Sequence, residues 1–235
     1  MVPSFSSGLK DGIPICLGYL SVSFAFGIFA VNQGLYPWQA LAISMTNVTS
    51  AGQLAGVPIM CQGLPLVEIA LTQLIINLRY ALMSVSLSQK LDKSVTIFHR
   101  LIISFVNTDE VFAVASGRSD YIGKNYLYGL IITPYFGWAL GTILGAIAGN
   151  ILPQIVTNAL GIAIYGMFVA IIVPVAKIKK SVLGVVLTSV TLSCLFRYIP
   201  FLQKVSSGFV IIICAIFSAG LFAFLCPIEN KNSEN

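Results

Sequence analysis

The chain has 235 residues, 57% hydrophobic and 9% charged, with a formal net charge of +5 and a mean hydropathy of +0.92. Soluble globular domains carry roughly 25% charged residues, so a water-soluble domain is excluded, and the ten-residue alternating segments of an outer-membrane barrel are absent. At about 20 residues per span, the composition points to an all-α polytopic membrane protein with about seven to eight hydrophobic segments.

The first apolar segment covers residues 13–31, with Gly18 and Gly27 allowing close helix approach. Lys10 precedes it and no small-x-small cleavage site follows, so it reads as a retained helix rather than a signal peptide. An uncharged turn at residues 32–38, with Tyr36 and Trp38 suited to an interfacial belt, leads to the second segment, residues 38–60. That segment sets Ser44, Thr46, Asn47, Thr49, Ser50 and Gln53 at membrane depth. Hydrocarbon cannot satisfy such groups, so they face other helices or a wet cavity where the helix loosens. Interhelical hydrogen bonding in a packed bundle is the competing reading. Gly52 and Gly56 form a small-x-x-x-small pair, and Pro58 predicts a break near the segment's end.

The third segment, residues 66–87, contains Glu68 in its first turn and Asn77 and Arg79 at depth. A polar connector at 88–100 leads to a fourth segment, 101–116, which is short for a span and has Asn107-Thr108-Asp109-Glu110 at its centre. Two half-helices around a polar break, or a re-entrant element, suit it better than a lipid-facing span. The fifth segment, 126–149, carries Gly137, Gly141, Gly145 and Gly149 as a smooth packing stripe. Segments at 158–176, 182–199 and 209–225 complete the chain, followed by a polar tail.

Gly27-x-x-Ala30-x-Asn32 matches Gly145-x-x-Ala148-x-Asn150 at an offset of 118, and Arg79-Tyr80 matches Arg197-Tyr198 at the same offset. The residues therefore allow a duplication of 13–88 by 126–200, joined by 101–116 within a single membrane domain of residues 1–235; chance is the alternative for so few identities. In such a pair the first half would supply polar ligands and Gly161–Val169 of the second an apolar wall. If the second and fourth segments both fail to cross, the connectors at 88–100, 117–125 and 177–180 share the N-terminal side, leaving Arg197 and Lys204 opposite. That arrangement satisfies the positive-inside rule with a cytoplasmic N-terminus; eight full spans split the basic residues almost evenly.

Few ionisable groups lie within apolar runs. Glu68 reads as a helix-dipole partner and Arg197 as a snorkelling side chain. Arg79 is suited either to clamping a carboxylate or to pairing with Asp109 or Glu110. Asp109 and Glu110 are candidates for coupling or gating, or else lie in interfacial water. The five cysteines read as packing thiols without a Cys-x-x-Cys pair, and His99 lies in a polar connector, so no metal site and no cofactor is expected. The basic residues lie mostly between apolar runs, which suits lipid headgroups and topology rather than nucleic acid.

Gly18…Phe26-Gly27, Ser44-Met45…Ala51-Gly52-Gln53, Asn77-Leu78-Arg79-Tyr80, Thr108-Asp109-Glu110, Gly137-Trp138 and Leu160-Gly161…Phe168 occur in an order that resembles the AzlC family of branched-chain amino acid permeases. The resemblance covers about residues 8–200. Each motif is weak alone, and their order together is specific. Family members usually have His after the Asn-x-Arg motif, where this chain has Tyr80, which puts any proton coupling through that position in doubt. The resemblance implies an inner-membrane exporter of valine, leucine, isoleucine or similar amino acids, working with a small hydrophobic AzlD-type subunit. On that reading Ser44, Thr46, Asn47, Thr49, Ser50, Gly52, Gln53, Asn77 and Arg79 are candidate amino acid-binding residues. No Walker-type phosphate loop is present. An intramembrane enzyme lacks a Gly-x-Ser-x-Gly elbow, a His-Glu-x-x-His helix or a second deep aspartate. A non-transporting scaffold or accessory subunit is the remaining alternative.

Overall fold

The computed structural model describes residues 4–153, 155, 156, 166, 169 and 172–226. Most of the 158–176 segment, and with it most of the expected wall at Gly161–Val169, lies outside the described residues. Among the described residues the chain is helical: α1 (Phe5–Asn32), α2 (Pro37–Thr46), α3 (Ser50–Cys61), α4 (Leu66–Ser88), α5 (Ile97–Phe105), α6 (Asp109–Ser116), α7 (Lys124–Ile151), α8 (Lys180–Tyr198) and α9 (Ser207–Leu225). Five of these, α1, α4, α7, α8 and α9, are long and apolar enough to cross a membrane.

The centre of the fold is the α1–α7 pair. Gly8, Gly12 and Gly27 of α1 face Gly129, Gly141 and Gly145 of α7, and the two backbones touch. A Cβ on Gly27 would lie 2.5 Å from Ala146 N, and one on Gly145 would lie 2.8 Å from Phe24 Cα. The glycine stripe thus lets two long helices approach closely where lipid supplies no hydrophobic drive between them. Gly8 meets Tyr126 and Leu130 while Gly27 meets Thr142 and Ala146, so α1 and α7 run parallel.

The other elements are oriented by their contacts with this pair. The connector after α4 pairs with the one before α7 through Asp92 N to Ile122 O at 3.0 Å and Ile122 N to Lys90 O at 2.9 Å. Lys90 Nζ donates to the carbonyls of Ser116 and Arg118, and Arg118 is ion-paired with Asp11 near the start of α1. The chain N-terminus and the connectors 88–100 and 117–125 therefore lie at one end of the bundle. At the other end, Glu68 at the start of α4 receives the Gly208 N–H at 2.8 Å. The carboxylate is 2% exposed and caps α9, a helix distant in sequence, besides sitting in the first turn of its own helix.

Two consequences follow for topology. The α2–α3 unit enters from the end where α1 finishes and returns there, since Ile59 and Glu68 both lie near Gly208. The α5–α6 unit enters from the opposite end, where His99 Nδ1 lies 2.8 Å from Tyr128 OH, and returns to it at Ser116. Each is a re-entrant pair of half-helices, and the two units meet tip to tip. The expected break at Pro58 is corrected: α3 runs through Pro58 to Cys61, and the break falls at Asn47–Thr49. Proline costs the helix one backbone bond. At Asn47–Thr49, by contrast, the backbone closes on itself (Thr49 N to Asn47 O, 2.8 Å), and polar neighbours receive the side chains. The α8–α9 pair is an antiparallel hairpin, with Gly184 against Phe222. α8 consequently runs opposite to α4.

Candidate functional site

The two broken elements place four half-helix ends in the middle of the bundle. Both N-terminal ends, Ser50-Ala51 of α3 and Asp109-Glu110 of α6, line a cavity of about 730 Å³. Thr108 caps α6, its hydroxyl accepting from Val111 N at 3.4 Å. Thr49 at the start of α3 makes no such side-chain cap, and α3 has no acidic residue in its first turn. The N-terminus of α3 therefore faces the cavity with uncompensated N–H groups and the positive end of its dipole.

Three charged side chains line the cavity: Arg79, Asp109 and Glu110. Arg79 Nη1 lies 2.5 Å from Asp109 Oδ2, with the two side chains 48% and 44% exposed. Its guanidinium also stacks 4.9 Å from the Tyr80 ring centroid, and Nη2 donates to Tyr80 OH at 3.2 Å. Tyr19 OH donates to Glu110 Oε2 at 2.5 Å and stands 2.5 Å from Thr108 Oγ1. Among the described lining residues, one cation and two carboxylates give the cavity a formal net charge of −1. Apolar side chains line the same cavity: Ile15, Val22, Val48, Ile76 and Trp138. Trp138 is fixed edge-on to Tyr19, with ring centroids 5.1 Å apart. The cavity thus combines carboxylates, a guanidinium and a helix N-terminus with aliphatic and aromatic surface.

The expected site residues separate into three groups. Thr49, Ser50, Arg79, Asp109 and Glu110 line the cavity. Thr46, Asn47 and Asn77 line a smaller neighbouring pocket of about 190 Å³, which shares Thr49 with it. Ser44, Gly52 and Gln53 are packed behind both. Ser44 Oγ lies 2.7 Å from Thr142 Oγ1 and 2.9 Å from the Gln53 amide, tying α2 to α7 and α3. Gly52 presents its carbonyl to Gln73 Nε2 at 2.8 Å. Interhelical hydrogen bonding, the competing reading of the polar stretch, therefore describes these three.

Gln73, Tyr19, Thr108 and Trp138 were not among the expected site residues. Gln73 joins the broken segment to α4: besides Gly52 it accepts from Asn77 Nδ2 at 3.1 Å and Asn47 Nδ2 at 3.4 Å. The four-residue spacing of Gln73 and Asn77, which puts both amides on one helix face, was the signal available for it. Tyr19 and Trp138 look like ordinary members of apolar runs, and only the fold sets Tyr19 against Glu110 and Trp138 against Tyr19. Among the described residues no group of three or more His, Cys, Asp and Glu side chains is placed to hold a metal ion.

The AzlC protein family model matches residues 14–152, a stretch that contains both broken elements and every charged residue of the cavity. Inner membrane protein YgaZ of Escherichia coli (strain K12) is 28% identical over 185 residues, 76% of each chain. An uncharacterized membrane protein of Archaeoglobus fulgidus is 32% identical over 175 residues, 74% of this chain and 76% of its own. A Helicobacter pylori membrane protein is 25% identical over 154 residues, 62% and 66% of the two chains. No solved structure matches. The resemblance carried by the ordered motifs is thereby confirmed: the chain is a membrane protein of the AzlC family.

Proposed function

We propose that the protein exports branched-chain amino acids such as valine, leucine and isoleucine across the cell inner membrane, with a small hydrophobic AzlD-type subunit as partner. The observation that carries the reading is the lining of the cavity of about 730 Å³, which joins charged groups of both signs and a helix N-terminus with aliphatic and aromatic side chains. An α-carboxylate is matched by the open N-terminus of α3 and by Arg79, and an α-ammonium by Asp109 and Glu110, the net −1 charge compensating its charge. A branched aliphatic side chain would bury its apolar surface against Ile15, Val22, Ile76 and Trp138 at about 25 cal/mol per Å². The chain is read as a transporter because the cavity offers ligands for an amino acid.

The two re-entrant units supply an access mechanism. They approach from opposite ends, so displacing one tip opens the cavity to one side while the other stays closed. The connectors 88–100 and 117–125, gathered at the N-terminal end with their basic residues, support a cytoplasmic N-terminus. The driving force would be an ion gradient or the amino acid's own gradient. The test is valine efflux from proteoliposomes holding this chain with and without its small partner. The expected result is flux that requires this chain and is lost in Arg79→Ala. Flux that needs only the partner would assign this chain to the scaffold or accessory role.

A further inference from the structure

The smaller pocket has a different chemistry from the cavity beside it. It lies between the C-terminal ends of the other two half-helices, with Thr46 and Asn47 at the end of α2 and Ser104 and Phe105 at the end of α5. Helix C-termini leave their last carbonyls without intrahelical partners and carry the negative end of the dipole. Two such ends converge here, and none of the residues lining the pocket is charged.

The side chains add to the same polarity. Asn107 is 4% exposed; its Nδ2 donates to Ser84 Oγ at 3.1 Å, and its Oδ1 is buried with no hydrogen-bond partner. Asn77 repeats the pattern: Nδ2 donates to Gln73 Oε1 and Oδ1 is buried and unpartnered. The orientation of Asn77 is fixed by the network, because Gln73 uses its own amide N–H on Gly52 O and so presents oxygen to Asn77. Two hydroxyls have also committed their protons elsewhere. Thr46 Oγ1 donates to Ala42 O at 2.7 Å and Ser104 Oγ donates to Leu101 O at 3.0 Å. Both therefore offer only lone pairs to the pocket.

Leaving a buried amide oxygen unmatched costs about 1–3 kcal/mol, and two residues that line this pocket each carry one, beside two acceptor-only hydroxyls and two negative helix ends. We propose that the pocket binds an alkali metal cation through Asn77 Oδ1, Asn107 Oδ1 and the oxygens of the α2 and α5 ends. Neutral oxygens suit a monovalent ion, whereas calcium sites recruit several carboxylates. The two amide oxygens and the two committed hydroxyls offer an anion no donor. Val48, Thr49, Tyr80 and Thr108 line both the pocket and the cavity. An ion here therefore holds the two broken tips together next to bound amino acid, so ion and amino acid bind cooperatively. This coupling rests on the exporter reading; the ion site itself does not.

The experiment is thermal unfolding of the purified full chain in NaCl, KCl or choline chloride at matched ionic strength, with and without valine. The expected result is a saturable rise of several degrees in the midpoint with Na⁺ or K⁺ over choline. Asn107→Leu and Asn77→Leu should each lose it, and Asn107→Asp, which keeps an oxygen and adds charge, should shift saturation to lower ion concentration. Equal midpoints in all three salts, or an ion effect that survives in both leucine variants, would overturn the proposal and assign the pocket to water. Valine export by a protein without the ion effect would sink this inference alone. An ion effect with neither valine stabilisation nor valine flux would leave the ion site and sink the exporter reading.

Discussion

Replacing Arg79 by alanine separates its two roles, pairing with Asp109 and binding a carboxylate. The ion pair contributes little to stability, because both partners are close to half exposed, and pairs of that kind are worth about 0–1 kcal/mol. Its contribution to amino acid binding is larger. A hydrogen bond to a charged group is worth about 1.5–3 kcal/mol, which is roughly a 10- to 150-fold change in affinity at 1.4 kcal/mol per decade. Removing the guanidinium also takes the cavity from a net charge of −1 to −2, which disfavours the substrate carboxylate further. Calorimetric titration of valine into purified wild type, Arg79→Ala and Arg79→Ala/Asp109→Ala is the assay. The single variant should lose at least tenfold in affinity with an unfolding midpoint close to wild type. The double variant returns the cavity to −1 without returning the guanidinium, so it should remain weak. Wild-type affinity in the double variant would mean that Arg79 only neutralises Asp109, and affinity within threefold of wild type in the single variant would refute its placement in the site.

Three further perturbations probe the framework. Gln73→Leu removes the partner of Gly52 O, Asn47 and Asn77 together; each unmatched buried group costs about 1–3 kcal/mol, and the loss should appear as a lower unfolding midpoint, with an unchanged midpoint counting against the network. Glu68→Ala should destabilise by about 1–3 kcal/mol by leaving Gly208 N–H without its acceptor, whereas Glu68→Gln retains an oxygen and should lose clearly less; equal losses would show that charge rather than acceptance matters there. Tyr80→His places a group that titrates near pH 6.5 beside Arg79. As pH falls below about 6.5 the imidazole gains a proton and a like charge next to the guanidinium. Valine flux in this variant should therefore drop between pH 8 and pH 5.5 relative to wild type, and parallel pH profiles would contradict the contact.

The long helices were legible from hydropathy, and α4, α7 and α9 fall within a few residues of the expected segments. The α5–α6 break was legible too, because Asn107-Thr108 at the centre of an apolar run has no water to turn to. The break in the second segment was harder. Pro58 is the stronger local helix breaker, yet the chain opens at Asn47–Thr49, where Gln73 and Tyr80 of α4 offer partners that only the folded bundle brings near. The glycine stripe on α7 announced close packing without naming its partner, α1. The division of the polar stretch into cavity-facing Thr49 and Ser50 and buried Ser44 and Gln53 was not legible. It depends on the direction in which α2 and α3 leave the break. The same holds for the pairing of opposed half-helix ends, since a hydropathy trace does not say that two segments enter from opposite sides.

The most direct test of the central claim uses a single cysteine at Ser50, in a chain whose five native cysteines are replaced. Ser50 lies at the open end of α3 on the cavity wall, and a bound amino acid carboxylate would cover it. Alkylation of Ser50→Cys by a small maleimide should slow in a saturable manner with valine, leucine or isoleucine and remain unchanged with lysine or glutamate. An alkylation rate indifferent to valine, in a protein that still moves valine across the membrane, would place the amino acid elsewhere and contradict the account.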